Sequence, residues 1–274
     1  MATQQDKALA FRRLHQRPGA FVIPNPWDVG TARALAQLGF EALATTSAGM
    51  AFSLGVRDGQ VGRERAMQHA RQLVAATELP VSADLENGFG DDSQTVAETI
   101  RLAGETGLVG CSIEDATGRK DDPIYDEGLA VQRVQAAVEA ARALEFPFTL
   151  TARCENYLWG RSDLAATIER LQAYQEAGAD VLYAPGLAHK DEIETLVRSV
   201  DRPVNVLVGF AGMSLSLAEL SQIGVRRVSV GSGLFRAAFG PFLRAAKEMR
   251  EQGTFTQLAG EPVSFRQITA MFHS

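Results

Sequence analysis

Short apolar runs alternate with helical segments along almost the whole chain, about eight times, at spacings of roughly 25 to 45 residues. Phe21 to Ile23, Glu41 to Thr46, Leu79 to Asp84, Leu108 to Glu114, Pro147 to Arg153, Val181 to Ala184, Pro203 to Val208 and Val225 to Val230 read as strands. A first helix over Gln4 to Gln16 stops at the breaker pair Pro18-Gly19, and each strand is followed by a segment with a helical pattern. Such alternation demands parallel pairing through right-handed crossovers, because a hairpin cannot join parallel neighbours. Eight units suffice to close the sheet on itself, whereas open doubly wound sheets more often stop short of that number. No composition break or linker divides the 274 residues. The expectation is therefore one α/β domain over 1–274, a (β/α)8 TIM barrel with an extra helix at each end.

Charge and composition remove several classes of function. A net charge of −6, with no basic run longer than Arg12-Arg13 or Arg226-Arg227, argues against a nucleic-acid partner. No apolar run approaches the ~20 residues of a membrane span, and the polar stretch Met1 to Gln16 is no secretory leader. A cytoplasmic protein without a membrane partner is expected. The two cysteines, Cys111 and Cys154, lack CxxC spacing and fall out of phase with the strand-end polar residues, so both read as small buried hydrophobes facing helices. His15, His69, His189 and His273 lie on predicted helices or their edges and are expected at the surface.

In a barrel of this kind the chemistry gathers where the strands end. The second strand runs into Thr46-Ser47-Ala48, the third into Asp84-Leu85-Glu86, the fourth into Glu114 and the fifth into Arg153-Cys154-Glu155; Asp58 follows in the loop after the second. Side chains alternate along a strand, so Ser82, Asp84 and Glu86 are expected on one face, as are Thr151, Arg153 and Glu155. Acids brought to one mouth repel unless a cation lies among them. A hard divalent ion suits oxygen ligands, so Asp84, Glu86, Glu114 and Asp58 are candidate ligands for Mg2+, with Mn2+ as a substitute. A 2-oxo acid could chelate such an ion, which would stabilise an enolate as a Lewis acid. Arg153 and the backbone N–H groups of Ser47 and Ala48 could hold a carboxylate or an oxyanion. Asn205, in phase with Leu207 on the seventh strand, is a candidate substrate contact. Gly231-Ser232-Gly233 at a helix start suits a phosphate but also suits closing the barrel.

Thr46-Ser47-Ala48-Gly49, Leu54-Gly55-Val56-Arg57-Asp58, Asp84-Leu85-Glu86-Asn87-Gly88-Phe89-Gly90, Ser112-Ile113-Glu114-Asp115 and Thr151-Ala152-Arg153-Cys154-Glu155 together resemble the isocitrate lyase/phosphoenolpyruvate mutase superfamily. The resemblance runs from Asn25 to the final helix. It implies a (β/α)8 barrel whose terminal helix is exchanged between subunits of a homo-oligomer, a dimer or tetramer. By it, Asp84 matches the residue nearest Mg2+, and Glu86, Asp58 and Glu114 match its water-linked acidic shell. Thr46, Ser47 and Ala48 match the segment that binds the pyruvyl carboxylate, and Arg153 matches the substrate-contacting arginine. Residues 252–274, apolar at Val263, Phe265, Ile268, Met271 and Phe272, are expected to pack on a neighbouring subunit.

The departures narrow what the resemblance implies. The metal motif carries Glu86 where the superfamily usually has a second Asp. The loop Gly118 to Tyr125 lacks the cysteine and histidine of the isocitrate-cleaving lyases and the Lys-x-Asn-Ser of the phosphonomutases, and Pro185 stands where the mutases carry histidine. What is retained is the half that binds metal and stabilises an enolate. The expected activity is therefore a Mg2+-dependent carbon–carbon lyase or decarboxylase acting on a small 2-oxo or 2-hydroxy di- or tricarboxylic acid. Lys120, Tyr125 or a loop carboxylate is a candidate acid–base group. The alternatives are a phosphonopyruvate-type C–P hydrolase or mutase, and a non-catalytic barrel that binds a 2-oxo acid.

Overall fold

The computed structural model describes residues 2–260 and 262–272. All of its sheet pairing is parallel, in the order β1-β8-β7-β6-β5-β4-β3-β2. The strands are β1 (Phe21–Ile23), β2 (Leu43–Ala44), β3 (Val81–Asp84), β4 (Gly110–Glu114), β5 (Thr149–Arg153), β6 (Val181–Tyr183), β7 (Val204–Leu207) and β8 (Arg227–Ser229). They are surrounded by helices α1 (Gln4–Gln16), α2 (Val29–Gln37), α3 (Ser47–Ser53), α4 (Arg63–Ala75), α5 (Ser93–Glu105), α6 (Glu127–Arg142), α7 (Leu164–Glu176), α8 (Lys190–Ser199), α9 (Leu217–Gln222), α10 (Gly233–Gln252) and α11 (Phe265–Ala270). This is the expected (β/α)8 barrel, closed except at one seam.

The seam lies between β1 and β2, and Pro24 is the local reason for it. Proline has no N–H to donate into a ladder. A single backbone bond crosses there, from Ala44 N to Pro24 O at 3.1 Å. Asn25 completes the closure with its side chain. Its Nδ2 donates to Ala44 O and Thr45 O at 3.2 and 3.0 Å, while its Oδ1 accepts from Val230 N and Gly231 N at 3.0 and 2.9 Å. Asn25, which the sequence places in a turn, thus fastens β2 to the end of β8.

Apolar packing lies mainly between strands and helices. Cys111 and Cys154 sit there, fully buried, as their phase predicts, and burial pushes both thiols up. The barrel interior is different. Inward positions carry Ser82, Ser112, Thr151, Asn205, Arg227 and Ser229 rather than the bulky branched residues that usually fill such barrels. The bottom is plugged by α1, whose Phe11 ring meets the rings of His15 and Phe21 edge-on at 4.7 and 6.4 Å.

Three expectations need correction. His15 is buried: Nδ1 lies 2.9 Å from Phe11 O, and burial beside Arg227 pushes its imidazole down to about 3. His69 is half-buried, with Nε2 2.8 Å from Trp27 O. His189 is exposed as expected, and His273 lies outside the described residues. Ser47 to Gly49 do not extend the second strand; they open α3, which Thr46 caps by accepting from Gly49 N at 3.2 Å. Residues after α10 fold back on its end, where Glu248 accepts from Thr254, Thr256 and Gln257. Beyond α11, Met271 O accepts from Gln37 Nε2 at 2.7 Å, so this end of the chain touches its own α2.

Candidate active site

β3 delivers Asp84 as its last residue, half-buried at the mouth. Its Oδ2 accepts from the Ser47 backbone N–H at 3.3 Å and from the Ser47 hydroxyl at 3.0 Å. Its backbone N–H donates to Thr45 Oγ1 at 3.0 Å, which locks the end of β3 against β2. From β5, Arg153 reaches Asp84 Oδ1 at 3.3 Å, Glu114 Oε2 at 3.2 Å and, through Nε, Glu155 Oε1 at 2.5 Å. The guanidinium carbon stands 5.3 Å from the centre of the Tyr183 ring.

Glu86 arrives by a different route from the expected one. The strand ends at Asp84, Leu85 turns into the apolar layer, and Glu86 adopts φ 52°, a left-handed conformation uncommon for a residue with a side chain. Strand alternation therefore does not place it; the turn does. Arg133 of α6 holds that turn by donating to the carbonyls of Asn87, Gly90 and Asp91. Burial, with Asp84 and Asp58 beside it, pushes the Glu86 carboxyl up to about 7. Asp58 is likewise raised by burial and by Asp84, and Glu114 is raised chiefly by burial, against the pull of Arg153.

These four acids occupy one electrostatic neighbourhood, as the sequence predicts. Glu86 Oε1 is buried without a hydrogen-bond partner. Among the described residues, no three His, Cys, Asp or Glu side chains converge tightly enough to hold an ion entirely by direct bonds. One direct carboxylate with others reached through water is the coordination a hydrated hard cation takes, so the donor set fits Mg2+.

The cavity at this mouth has a volume of about 190 Å³ and includes Thr46, Ser47, Ala48, Asp84, Arg153 and Asn205 in its lining. The Ser47 N–H is directed to Asp84, whereas the Ala48 N–H has no acceptor among the described residues. Asn205 lines the interior, but both ends of its amide are engaged, with Ser229 Oγ and Arg227 Nε, each at 2.9 Å.

Lys120 is not brought to the site. The loop after β4 folds into a hairpin through an Ala116–Ile124 bridge, and Arg119 ties it to Asp91 at 2.7 Å. Lys120 stays exposed there and does not line the cavity. Tyr125 is also unsuited to act as a base. Its hydroxyl donates to Asp91 at 2.6 Å, and burial followed by that bond pushes it up to about 12.

Two cavity residues escaped the sequence reading. Tyr183 looked like an ordinary strand aromatic. Arg227 is read in the sequence only as half of a short basic pair, although its two-residue spacing from the inward Ser229 is a usable signal.

Comparison with known proteins shows the family. The family model for phosphoenolpyruvate phosphomutase matches residues 11–250. A crystal structure from Burkholderia cenocepacia J2315, assigned only provisionally as a lyase/mutase, is 63% identical with a TM-score of 0.96, covering 99% of this chain and 97% of that one. An uncharacterised protein of Mycobacterium tuberculosis is 34% identical over 84% of this chain and 86% of its own. Oxaloacetate decarboxylase of Chromohalobacter salexigens is 28% identical over 92% and 88%. The chain belongs to the phosphoenolpyruvate mutase family, within the isocitrate lyase/phosphoenolpyruvate mutase superfamily.

Proposed function

We propose that this protein is a Mg2+-dependent carbon–carbon lyase or decarboxylase acting on a small 2-oxo or 2-hydroxy di- or tricarboxylic acid. The observation that carries the reading is Asp84, clamped between Ser47 and Arg153 beside the unpartnered buried oxygen of Glu86. Asp84 would bind Mg2+ or Mn2+, with Asp58, Glu86 and Glu114 reached through water. Bound there, the ion supplies Lewis-acid stabilisation of charge developing on the substrate's carbonyl oxygen.

The chain's own groups define the rest. Ala48 lines the cavity with an N–H that has no acceptor among the described residues, and Arg153 adds a cation at the same mouth, so a carboxylate and an adjacent oxyanion could be held side by side. Loss of CO2 from an oxaloacetate-like acid needs no dedicated proton acceptor, which suits a site whose loop offers neither Lys120 nor Tyr125 as a base. The similarity to oxaloacetate decarboxylase supports the same direction.

The test is a panel of oxaloacetate, isocitrate, methylisocitrate, dimethylmalate and phosphonopyruvate with Mg2+, coupling pyruvate formation to a reductase. Pyruvate release from a dicarboxylate, abolished by chelation, is expected. Phosphate release from phosphonopyruvate as the sole activity would establish the C–P alternative, and binding without turnover across the panel would establish the non-catalytic one.

The working unit is a homo-oligomer. Phe239, Phe242 and Leu243 on α10, with Phe255 and Phe265 beyond it, are exposed, with Phe265 at 87%. Residues 252–274 would pack on the neighbouring subunit. Light scattering is expected to find a dimer or tetramer, and a monomer would refute this.

A further inference from the structure

Arg227 is a buried cation without a counter-ion. It is the first residue of β8, in register with Asn205 of β7, and it is 5% exposed. Its Nε donates to Asn205 Oδ1 and its Nη2 to Thr151 Oγ1, both at 2.9 Å. Nη1 faces His15 Nε2 at 3.4 Å. Because His15 Nδ1 must donate to the Phe11 carbonyl, Nε2 presents a lone pair, and the ring is neutral.

All three partners are therefore uncharged. No ion pair among the described residues includes Arg227. Its guanidinium has more N–H bonds than these partners use. Water could accept the remainder but would leave the charge uncompensated. Buried charges are ordinarily paired. Arg153, by contrast, meets three carboxylates.

The position of Arg227 gives that charge a use. It lines the same cavity as Asp84 and Arg153. It bonds Thr151, two residues before Arg153 on β5, so it sits about one layer deeper, roughly 7 Å by the strand rise. Ser82, Ser112, Asn205 and Ser229 are among the residues that line the same cavity.

We infer that Arg227 is the docking point for a carboxylate entering this cavity, and so a specificity residue that selects a short dicarboxylic acid over its monocarboxylic counterpart. This rests on the proposed reading of the site as one for small 2-oxo or 2-hydroxy acids. The metal end of the cavity takes the functional group common to both acids, and Arg227 takes the additional carboxylate. The carboxylate can be the substrate's own, or the position can hold a separate small anion; the tests separate the two.

Malate and lactate differ by one carboxylate, and their affinities in the presence of Mg2+ can be compared by titration calorimetry. The wild-type protein is expected to prefer malate by about tenfold or more, the scale of one charge-assisted contact. Arg227→Met should bring the ratio close to unity with lactate affinity within about twofold, and Arg227→Lys should restore part of the preference. An undiminished malate preference in a folded Arg227→Met protein would overturn the inference while leaving the proposed function intact. Failure of the wild type to bind either acid would instead sink the proposed function.

A second measurement needs only the wild type. Bromide-soaked crystals are expected to show an anomalous peak at Arg227 that malate displaces. A peak that persists with malate bound elsewhere identifies a free-anion site and refutes the dicarboxylate assignment. No anion at Arg227 in either crystal refutes the inference altogether.

Discussion

Arg153 Nη1 stands 3.3 Å from Asp84 Oδ1 and 3.2 Å from Glu114 Oε2, so one nitrogen from β5 joins the carboxylates that end β3 and β4. The same guanidinium reaches Glu155 through Nε. A cation in that place lets several acids share one mouth before any ligand arrives, and it makes the acids depend on it.

Asp84→Asn keeps the hydrogen-bonding shape of the side chain but removes its charge. On the proposed function, turnover in the coupled assay should fall by at least about 100-fold, the scale of losing a major electrostatic contact to the reacting centre. The circular dichroism spectrum should be unchanged. An Asp84→Ala protein that is active without metal would refute the assignment.

Replacing Arg153 by Met leaves Asp84, Glu114 and Glu155 facing one another at the barrel top. Removing one partner from a buried ion pair typically destabilises by about 3–5 kcal/mol. The urea midpoint should therefore drop markedly at neutral pH, and less where the carboxyls hold their protons. Equal destabilisation at both pH values would contradict the clamp.

His15 makes stability depend on pH in a particular direction. Its folded value is lowered from 6.5 to about 3, so the unfolded chain takes up a proton in that window while the folded protein does not. Stability falls as pH drops through this range, by up to about 1.4 kcal/mol per pH unit from this group. His15→Gln, which keeps an acceptor and cannot titrate, should flatten that part of the profile measured by thermal melts. An unchanged slope would place His15 in solvent.

Gly110 opens β4 where the barrel wall approaches α1. A Cβ there would lie 2.6 Å from Thr149 O, a backbone atom, and 3.1 Å from the Phe11 ring. Neither neighbour can move without disturbing the adjoining strand or the plug. Gly110→Ala should destabilise by roughly 1–3 kcal/mol, read from chemical denaturation, with wild-type substrate affinity in whatever fraction folds.

The barrel was legible in the sequence because periodicity changes from strand to helix at every step, and that signal is local. Period-two alternation also held inside the strands, aligning Ser82 with Asp84 and Thr151 with Arg153. It failed two residues past the strand end, where Glu86 takes a left-handed turn that Arg133, far along the chain, helps to fix. Lys120 was misplaced for a related reason: a motif-poor loop says little about where it folds, and here Arg119 ties it to Asp91. His15 was misread because one helix by itself does not reveal that its end seals a barrel. Arg227 carries no site signal in the sequence, because an Arg-Arg pair does not show that one member points into the barrel, and only its neighbours make it intelligible.

The seam beside Asn25 has a consequence for how the barrel comes together. Seven strand junctions are continuous ladders; one of them, β1–β8, joins opposite ends of the chain and is reinforced by Asn25 Oδ1, which accepts from Val230 and Gly231, 205 and 206 positions away. The eighth, β1–β2, rests on one backbone bond and the Asn25 amide donating to Ala44 O and Thr45 O. Contacts of such separation close late, since the intervening chain must already be organised. The sheet should thus assemble as an open strip and become a ring last, and on brief native-state openings the Ala44 amide should exchange with solvent sooner than those in the β4–β5 ladder.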